Sequence, residues 1–263
     1  MILGAGRSTP VGVLQGELGW WSVRGRLDYL RLVYYGELIR KSTGGIFQAL
    51  VMDLQTGKGR WSKYTNALLE ELCLGDRLKK GSMAMWRREV RRAVHMREWM
   101  QWRAQMMPKS SLHRYMRIKT RLRPEPFLRQ CSRRLSRVLV RMRAEQVRLQ
   151  VVIGRWQKPR VPRERRVCTV CECDDVEDVE HLLAICPVLD TQRECMWGRI
   201  YARLHPFMRH SIMMMPLYLR VDWLLGTEWS ELLYDRAWKW PELQRQVAYE
   251  VLQLLQIRNR YVL

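Results

Sequence analysis

No run of about 18 apolar residues occurs in this 263-residue chain, so no helix is expected to cross a membrane. A secretory leader is not expected either, because residues 1–6 are too short an apolar start and run into Arg7. There is no Gly-rich phosphate loop and no Gly-x-Ser-x-Gly elbow. His95, His113, His205 and His210 have no nucleophile at a telling spacing. One Asp-Asp pair occurs, Asp174-Asp175, and no second carboxylate cluster stands on a strand-like segment to share two metal ions with it. Catalysis is therefore not expected. Internal repeats and low-complexity tracts are also lacking. Cysteines number seven, an odd count that, with no leader, argues for reduced thiols inside a cell rather than a disulfide framework.

Acidic residues are scarce in one place. Residues 81–166 hold 25 Lys/Arg against 5 Asp/Glu, while the rest of the chain holds 22 against 21. Nearly the whole formal charge of +21 lies in that central third. Arginine outnumbers lysine there by 22 to 3, which suits bidentate contact with phosphates and stacking on bases. A segment that repels itself this strongly points to a polyanionic partner; the competing reading is a solvated helix face kept soluble by charge. A membrane surface is the weaker candidate.

The most informative pattern is Cys168-x2-Cys171-x9-His181-x4-Cys186. Two thiols two residues apart can point both sulfurs at one ion, and a His and a third Cys can close a tetrahedral shell. Three sulfurs and one nitrogen match the softness and geometry that zinc favours. Four protein ligands leave no open position for water, so the expected Zn2+ is structural. Cys73, Cys131 and Cys195 sit in apolar helical patterns and read as small buried hydrophobes. Cys173 is either a substitute ligand or an exposed bystander. Six acids occupy the nine residues between Cys171 and His181. Asp175 or a neighbour is expected to cap a short helix through His181 to about Ile185, stopped by Pro187. The alternative is that this acidic loop docks on the arginine helix.

Helical periodicity covers the remainder. Leu27, Leu30, Leu32, Val33 and Leu38 outline a buried side of 24–39, and Thr43-Gly44-Gly45 turns into a second apolar run at 46–54. Ser62 reads as the N-cap of a helix over 62–74. Trp20, Trp21, Tyr34 and Tyr35 read as core. One long helix is expected over 81–107, ended by Pro108, with stripes at Trp86, Val90, Ala93, Val94 and at His95, Trp99, Trp102, Met106. Residues 127–149 form the cleanest amphipathic pattern. Leu128, Cys131, Leu135, Val138 and Met142 mark its apolar side, and Arg133, Arg137 and Arg141 line a neighbouring face. Trp156, among Arg155, Lys158 and Arg160, either stacks on an unpaired base or plugs the underside of the zinc module. Helices are expected over 193–205, 218–225, 228–238 and 241–257, packing as a cap on the zinc module.

The string Val176-Glu177-Asp178-Val179-Glu180-His181-Leu182-Leu183, with Cys168-Thr169-Val170-Cys171 before it and Cys186-Pro187 after it, resembles the zinc-knuckle region near the C-terminus of non-LTR (LINE-type) retrotransposon reverse transcriptases. The stretch Ile2-Leu3-Gly4-Ala5…Ser8-Thr9-Pro10, followed by Gly16-Glu17-Leu18-Gly19-Trp20, is similar to the helical region after the polymerase domain of the same elements. Together the matches cover roughly half the chain. The family's Ala-Asp-Asp strand turn is not matched, since Cys173 precedes Asp174-Asp175 inside the metal loop. The nuclease series found after the knuckle in some members is not matched over 188–263. What the resemblance implies is a grip on template RNA and target DNA, and residence in the nucleus.

The expected fold is therefore all-α: a helical bundle with an Arg-rich long helix, a small CCHC zinc knuckle and a C-terminal helical cap. Four segments are expected: 1–80 helical, 81–153 basic helical, 154–200 metal module and 201–263 C-terminal helical. The expected function is non-enzymatic RNA or DNA binding through Arg129, Arg133, Arg134, Arg137, Arg141 and Arg143, backed by Arg155, Trp156, Arg160 and Arg163. The alternatives are a zinc-stabilised module binding an acidic protein partner and an inactive retroelement remnant.

Overall fold

A computed structural model describes residues 9–41, 45–77, 81–226 and 240–262. The helix expected over 228–238, residues 2–8 of the N-terminal resemblance, and Thr43 and Gly44 lie outside the described residues. All regular structure among the described residues is helical; the β pairing consists of two isolated bridges, Leu18 with Pro124 and Val167 with Val176. No helix there is long and apolar enough to cross a membrane. The chain packs as two compact units, one of Trp20–Ala104 and one of Met1–Gly19 with Gln105–Leu263. The basic segment 81–153 contributes to both.

In the Trp20–Ala104 unit, α2 (Val23–Lys41), α3 (Gly45–Thr56), α4 (Arg60–Glu71) and most of α5 (Met83–Met106) surround Leu32, Tyr35, Leu38, Val51, Leu68, Trp86 and Val90. α5 matches the expected long helix almost to its ends. Of the expected buried side of α2, Leu32 and Leu38 are core and Val33 packs against it, but Leu27 and Leu30 are 58% and 59% exposed. Two glycines select the face instead. A Cβ on Gly36 would lie 2.1 Å from Trp86 Nε1, and one on Gly25 would lie 2.4 Å from the Glu98 carboxylate. Trp86 then donates to the Leu32 carbonyl at 2.9 Å. The same face buries Asp28, which accepts from Arg97 at 2.6 Å and from the Tyr64 hydroxyl at 2.9 Å. Leu27, Leu30 and Tyr34 recur three and four apart on another face, and all are exposed. Trp20 is exposed too, Trp21 is half-buried, and only Tyr35 of that aromatic set is core. α4 starts two residues before Ser62, with Gly59 as its cap.

The larger unit contains α1 (Val11–Leu18), α6 (His113–Ile118), α7 (Phe127–Gln130), α8 (Arg133–Arg143), α9 (Gln150–Trp156), α10 (Asp190–Tyr201), α11 (Pro206–Met213), α12 (Leu217–Leu225) and α13 (Trp240–Arg260). The amphipathic pattern over 127–149 is thus broken twice. Cys131 is extended, and Ser132 caps a fresh start by accepting the Leu135 amide. Glu145, at φ 49°, then turns the chain into the left-handed region and ends α8. α13 packs along α7 and α8, and Leu139, Val140 and Met142 of α8 are buried.

Under α8 lies a charged core. Arg143 is fully buried, with Nη1 3.0 Å from a Glu125 oxygen and Nε 3.3 Å from a Glu17 oxygen; Lys119 also pairs with Glu125. Burial acts to raise both carboxyls. Arg143 and Lys119 outweigh it at Glu125 and hold that group down at about 2, whereas at Glu17 burial prevails and lifts it to about 7. Gly19, at φ 62°, closes α1 where any Cβ would strike Pro124, which sets Glu17 over this site.

Two expectations follow. Gly36→Ala forces Trp86 aside and should lower stability by about 1–3 kcal/mol in urea melts of the intact chain. A Glu17 carboxyl raised above its unfolded value contributes stability in full below about pH 4.5, lost as pH rises through about 7. Melting temperatures of Glu17→Gln and wild type should therefore converge in the acid range, and the variant should gain on wild type between pH 5 and 8, by roughly 3 kcal/mol at most.

Candidate metal centre and basic surfaces

Residues 166–177 form a tight two-armed loop. The Glu177 amide donates to the Arg166 carbonyl and the Cys168 amide to the Asp175 carbonyl, both at 2.9 Å, flanking the Val167–Val176 bridge. Cys168 and Cys171 sit where the chain reverses, and the Val170 amide approaches the Cys168 sulfur at 3.4 Å. The second half of the site is a short helix. Asp178, not Asp175, caps it: one carboxylate oxygen accepts the Glu180 amide at 2.9 Å and the His181 amide at 3.0 Å. The expectation of a capped helix through His181 holds, with the cap three residues later. The helix closes as a π turn, the Cys186 amide reaching the His181 carbonyl at 2.8 Å, and this wide turn swings Cys186 back beside His181. Arg193, from α10, pins the Cys186 carbonyl at 2.9 Å.

The result is convergence of the four expected residues. Cys168, Cys171, His181 and Cys186 are all buried, with ligand atoms within 4.8 Å of one another. A tetrahedral ion with sulfur at about 2.3 Å and nitrogen at about 2.0–2.1 Å has ligand-to-ligand edges of roughly 3.5–3.8 Å, so slight contraction suffices. His181 turns Nε2 toward the Cys171 sulfur at 3.3 Å, which makes Nε2 its ligating atom. Burial holds the imidazole below its ordinary pKa, in the neutral form that ligates. Without a cation, burial and the neighbouring Cys168 and Cys171 push the Cys186 thiol up to about 12. Three crowded thiols of this kind ionise when a metal replaces their protons. No disulfide forms, and the four residues can hold a metal ion.

The other cysteines differ from expectation. Cys73 and Cys195 are exposed and Cys131 is half-buried, so none is a core residue. Cys73 falls past the end of α4 at φ 52°, and Cys195 is on the outer side of α10. Cys173 is exposed and outside the quartet.

Glu177 anchors the site to the unit. It is 1% exposed, accepts Arg258 of α13 through both oxygens at 2.7 and 2.6 Å, and accepts the Gln150 amide at 2.8 Å. The acids of the loop pair with Arg258, with Arg163 through Asp178 and with Arg114 through Glu180, rather than with the arginines of α8. Nothing in residue order marks Glu177 out from its five acidic neighbours; a buried carboxylate needs the distant Arg258 to be recognised.

The arginines read as a nucleic-acid face separate into three groups. Arg129, Arg133, Arg134 and Arg137 are exposed on α7 and α8, with half-buried Arg141 one turn further on. Arg143 leaves the set, because it belongs to the buried charged core. Arg155, Arg160 and Arg163 line a cleft of about 660 Å3 together with Arg114, Arg117 and Arg166. Sequence reading passed over these last three: Arg114 and Arg117 are three apart on α6, and Arg166 adjoins the metal loop. Trp156 is 66% exposed and does not plug the metal module. No protein-family model, curated protein or solved structure gives a significant match to the chain.

Elemental analysis of the desalted protein should find one equivalent of metal in wild type and in Cys173→Ser, and none in Cys186→Ser. Full occupancy in Cys186→Ser would remove that thiol from the ligand set. Arg258→Ala strands a buried carboxylate and should cost about 3–5 kcal/mol in chemical denaturation.

Proposed function

We propose that this chain is a non-enzymatic nucleic-acid-binding segment of a LINE-type retrotransposon reverse transcriptase, organised around one structural zinc ion on Cys168, Cys171, His181 and Cys186. The zinc assignment follows from the donor set, three sulfurs and one nitrogen, and from a shell that four protein ligands fill. The ion fixes a loop and a π turn that carry little apolar core of their own. The family assignment rests on the residue string around His181.

The observation that carries the functional reading is the outer face of α7 and α8. Arg129, Arg134 and Arg137 are exposed there, and no carboxylate pairs with them among the described residues. Arg134, Arg137 and Arg141 are spaced three and four apart, so they rise along one stripe of the helix. Leu139, Val140, Met142 and Arg143 of α8 are buried, which leaves this stripe turned to solvent. Guanidinium groups spaced this way along one helix can meet successive phosphates of RNA or DNA. Arg155, Arg160 and Arg163 add positive charge in the same unit. The zinc ion's part is architectural: it locks the loop bearing Glu177, and through Arg258 the helix packed against α8.

Fluorescence anisotropy of zinc-loaded protein with a labelled structured RNA, taken across a salt series, tests this. Log affinity should fall linearly with log salt, by roughly 0.7–0.9 per phosphate contacted. The triple variant Arg134→Ala/Arg137→Ala/Arg141→Ala should bind at least tenfold more weakly with a shallower slope, at unchanged melting temperature. RNA binding equal to wild type would refute the α8 assignment. Salt-insensitive or absent binding by the wild-type protein would refute nucleic-acid binding altogether and favour an acidic protein partner.

A further inference from the structure

The cleft on the larger unit has more positive charge than its own carboxylates compensate. Arg114 and Arg117 come from α6, Arg155 from the end of α9, and Arg160, Arg163 and Arg166 from the connector to the metal loop. Three carboxylates, Glu145, Asp178 and Glu180, also line it, against those six guanidinium groups. The carboxylates are already engaged: Glu145 and Glu180 with Arg114, and Asp178 with Arg163. Asp222, behind the wall, serves Arg114 and Arg117.

That leaves Arg155, Arg160 and Arg166. No carboxylate pairs with Arg155 or Arg160 among the described residues. Arg166 is buried and donates only to neutral groups, the carbonyls of Val161 and Val151. Its stem is packed onto Gly154, where a Cβ would come within 2.8 Å, so its position is fixed. Burial depresses the pKa of both Arg155 and Arg166 and the neighbouring arginines depress them further, opposed in part by Glu145 at Arg155 and by Glu164 at Arg166. Positive charge gathered in a recess at this density destabilises the fold unless an anion enters.

Charge and size define the ligand. A phosphodiester carries one charge and presents it along a strand, whereas a phosphate monoester carries about −1.5 to −2 with three acceptor oxygens at one point. Three guanidinium groups with no ion-paired carboxylate in one recess match the second kind of group, and Arg forks are suited to its paired oxygens. A cleft of about 660 Å3 is the size of a small-molecule site and not of an extended groove. Ser110 and Ser111 also line it.

We propose that this cleft is a binding site for a compact, multiply charged phosphate group, either a free oligophosphate or the terminal phosphate of a nucleic-acid strand. The assignment uses residues off α8, so it does not depend on the face to which RNA binding is ascribed above.

Calorimetric titration of the zinc-loaded 263-residue chain with inorganic triphosphate at about 0.15 M salt is the test. One site per chain is expected. Arg155→Ala/Arg160→Ala should weaken it at least tenfold, and, lacking ion pairs to lose, should keep or raise the ligand-free melting temperature. The control pair Arg134→Ala/Arg137→Ala should stay within twofold of wild type. Competition then separates the sources: a tenfold advantage of a 5′-phosphorylated over a 5′-hydroxyl oligonucleotide identifies a strand end, and equal competition identifies free oligophosphate. The absence of saturable triphosphate binding, or equal weakening by both double variants, would overturn the site. Triphosphate binding that survives in the α8 triple variant while its RNA binding is lost would show the two assignments to be separate.

Discussion

A buried carboxylate holds the larger unit together. Glu177 lies inside the loop that carries the first two metal ligands, and both its oxygens are taken by Arg258, 81 residues later on α13. Its backbone is engaged as well: the amide pairs with Arg166 and the carbonyl accepts the Val151 amide. One residue thus joins the metal loop, the start of α9 and the helix that backs α8. Burying an ion pair of this kind is costly in itself, and the return is positional, since neither partner can move without exposing the other to an apolar interior. The metal quartet is placed relative to the basic helices by this pair as much as by the ligands' own spacing.

Arginine performs two kinds of work in this chain. Arg143, Arg166, Arg193 and Arg258 are buried and hold carboxylates or carbonyls, while Arg129, Arg133, Arg134 and Arg137 of α7 and α8 stand in solvent. A count of residues 81–166 treats buried Arg143 and Arg166 like the exposed arginines and so overstates the charge available to a partner. The planar guanidinium explains why so many are tolerated inside. Its five donors can satisfy several acceptors at once, as Arg166 does with two carbonyls and Arg114 with three carboxylates.

The metal quartet and the all-helical architecture were legible in the sequence, because ligand spacing and a 3.6-residue period are local signals. The long helix α5 was legible for the same reason. The break in 127–149 was not, since its apolar spacing continues through Cys131 and Ser132; what decides there is a serine hydroxyl that can cap one helix start better than it can sit inside a helix. The buried side of α2 was hidden because glycine carries no hydropathy signal, yet Gly25 and Gly36 determine which face closes. The cleft was hidden for a third reason. Its arginines come from segments some fifty residues apart, and no pattern in either segment refers to the other. Function stayed legible only as charge and resemblance.

The course of the chain has a consequence for how the protein comes into being. α1 belongs to the unit whose remaining chain begins at Gln105, with the whole Trp20–Ala104 unit lying between them in sequence. The Tyr115 hydroxyl reaches the Val13 carbonyl, the Glu125 amide meets the Glu17 carbonyl, and Arg143 lies against Glu17. During synthesis α1 leaves the ribosome about a hundred residues before any of these partners exists. The intervening unit is complete in the nascent chain while α1 still waits, and assembly of the larger unit must close a long loop to recover it. The charged core around Arg143 therefore cannot form until the whole Trp20–Ala104 unit has been made.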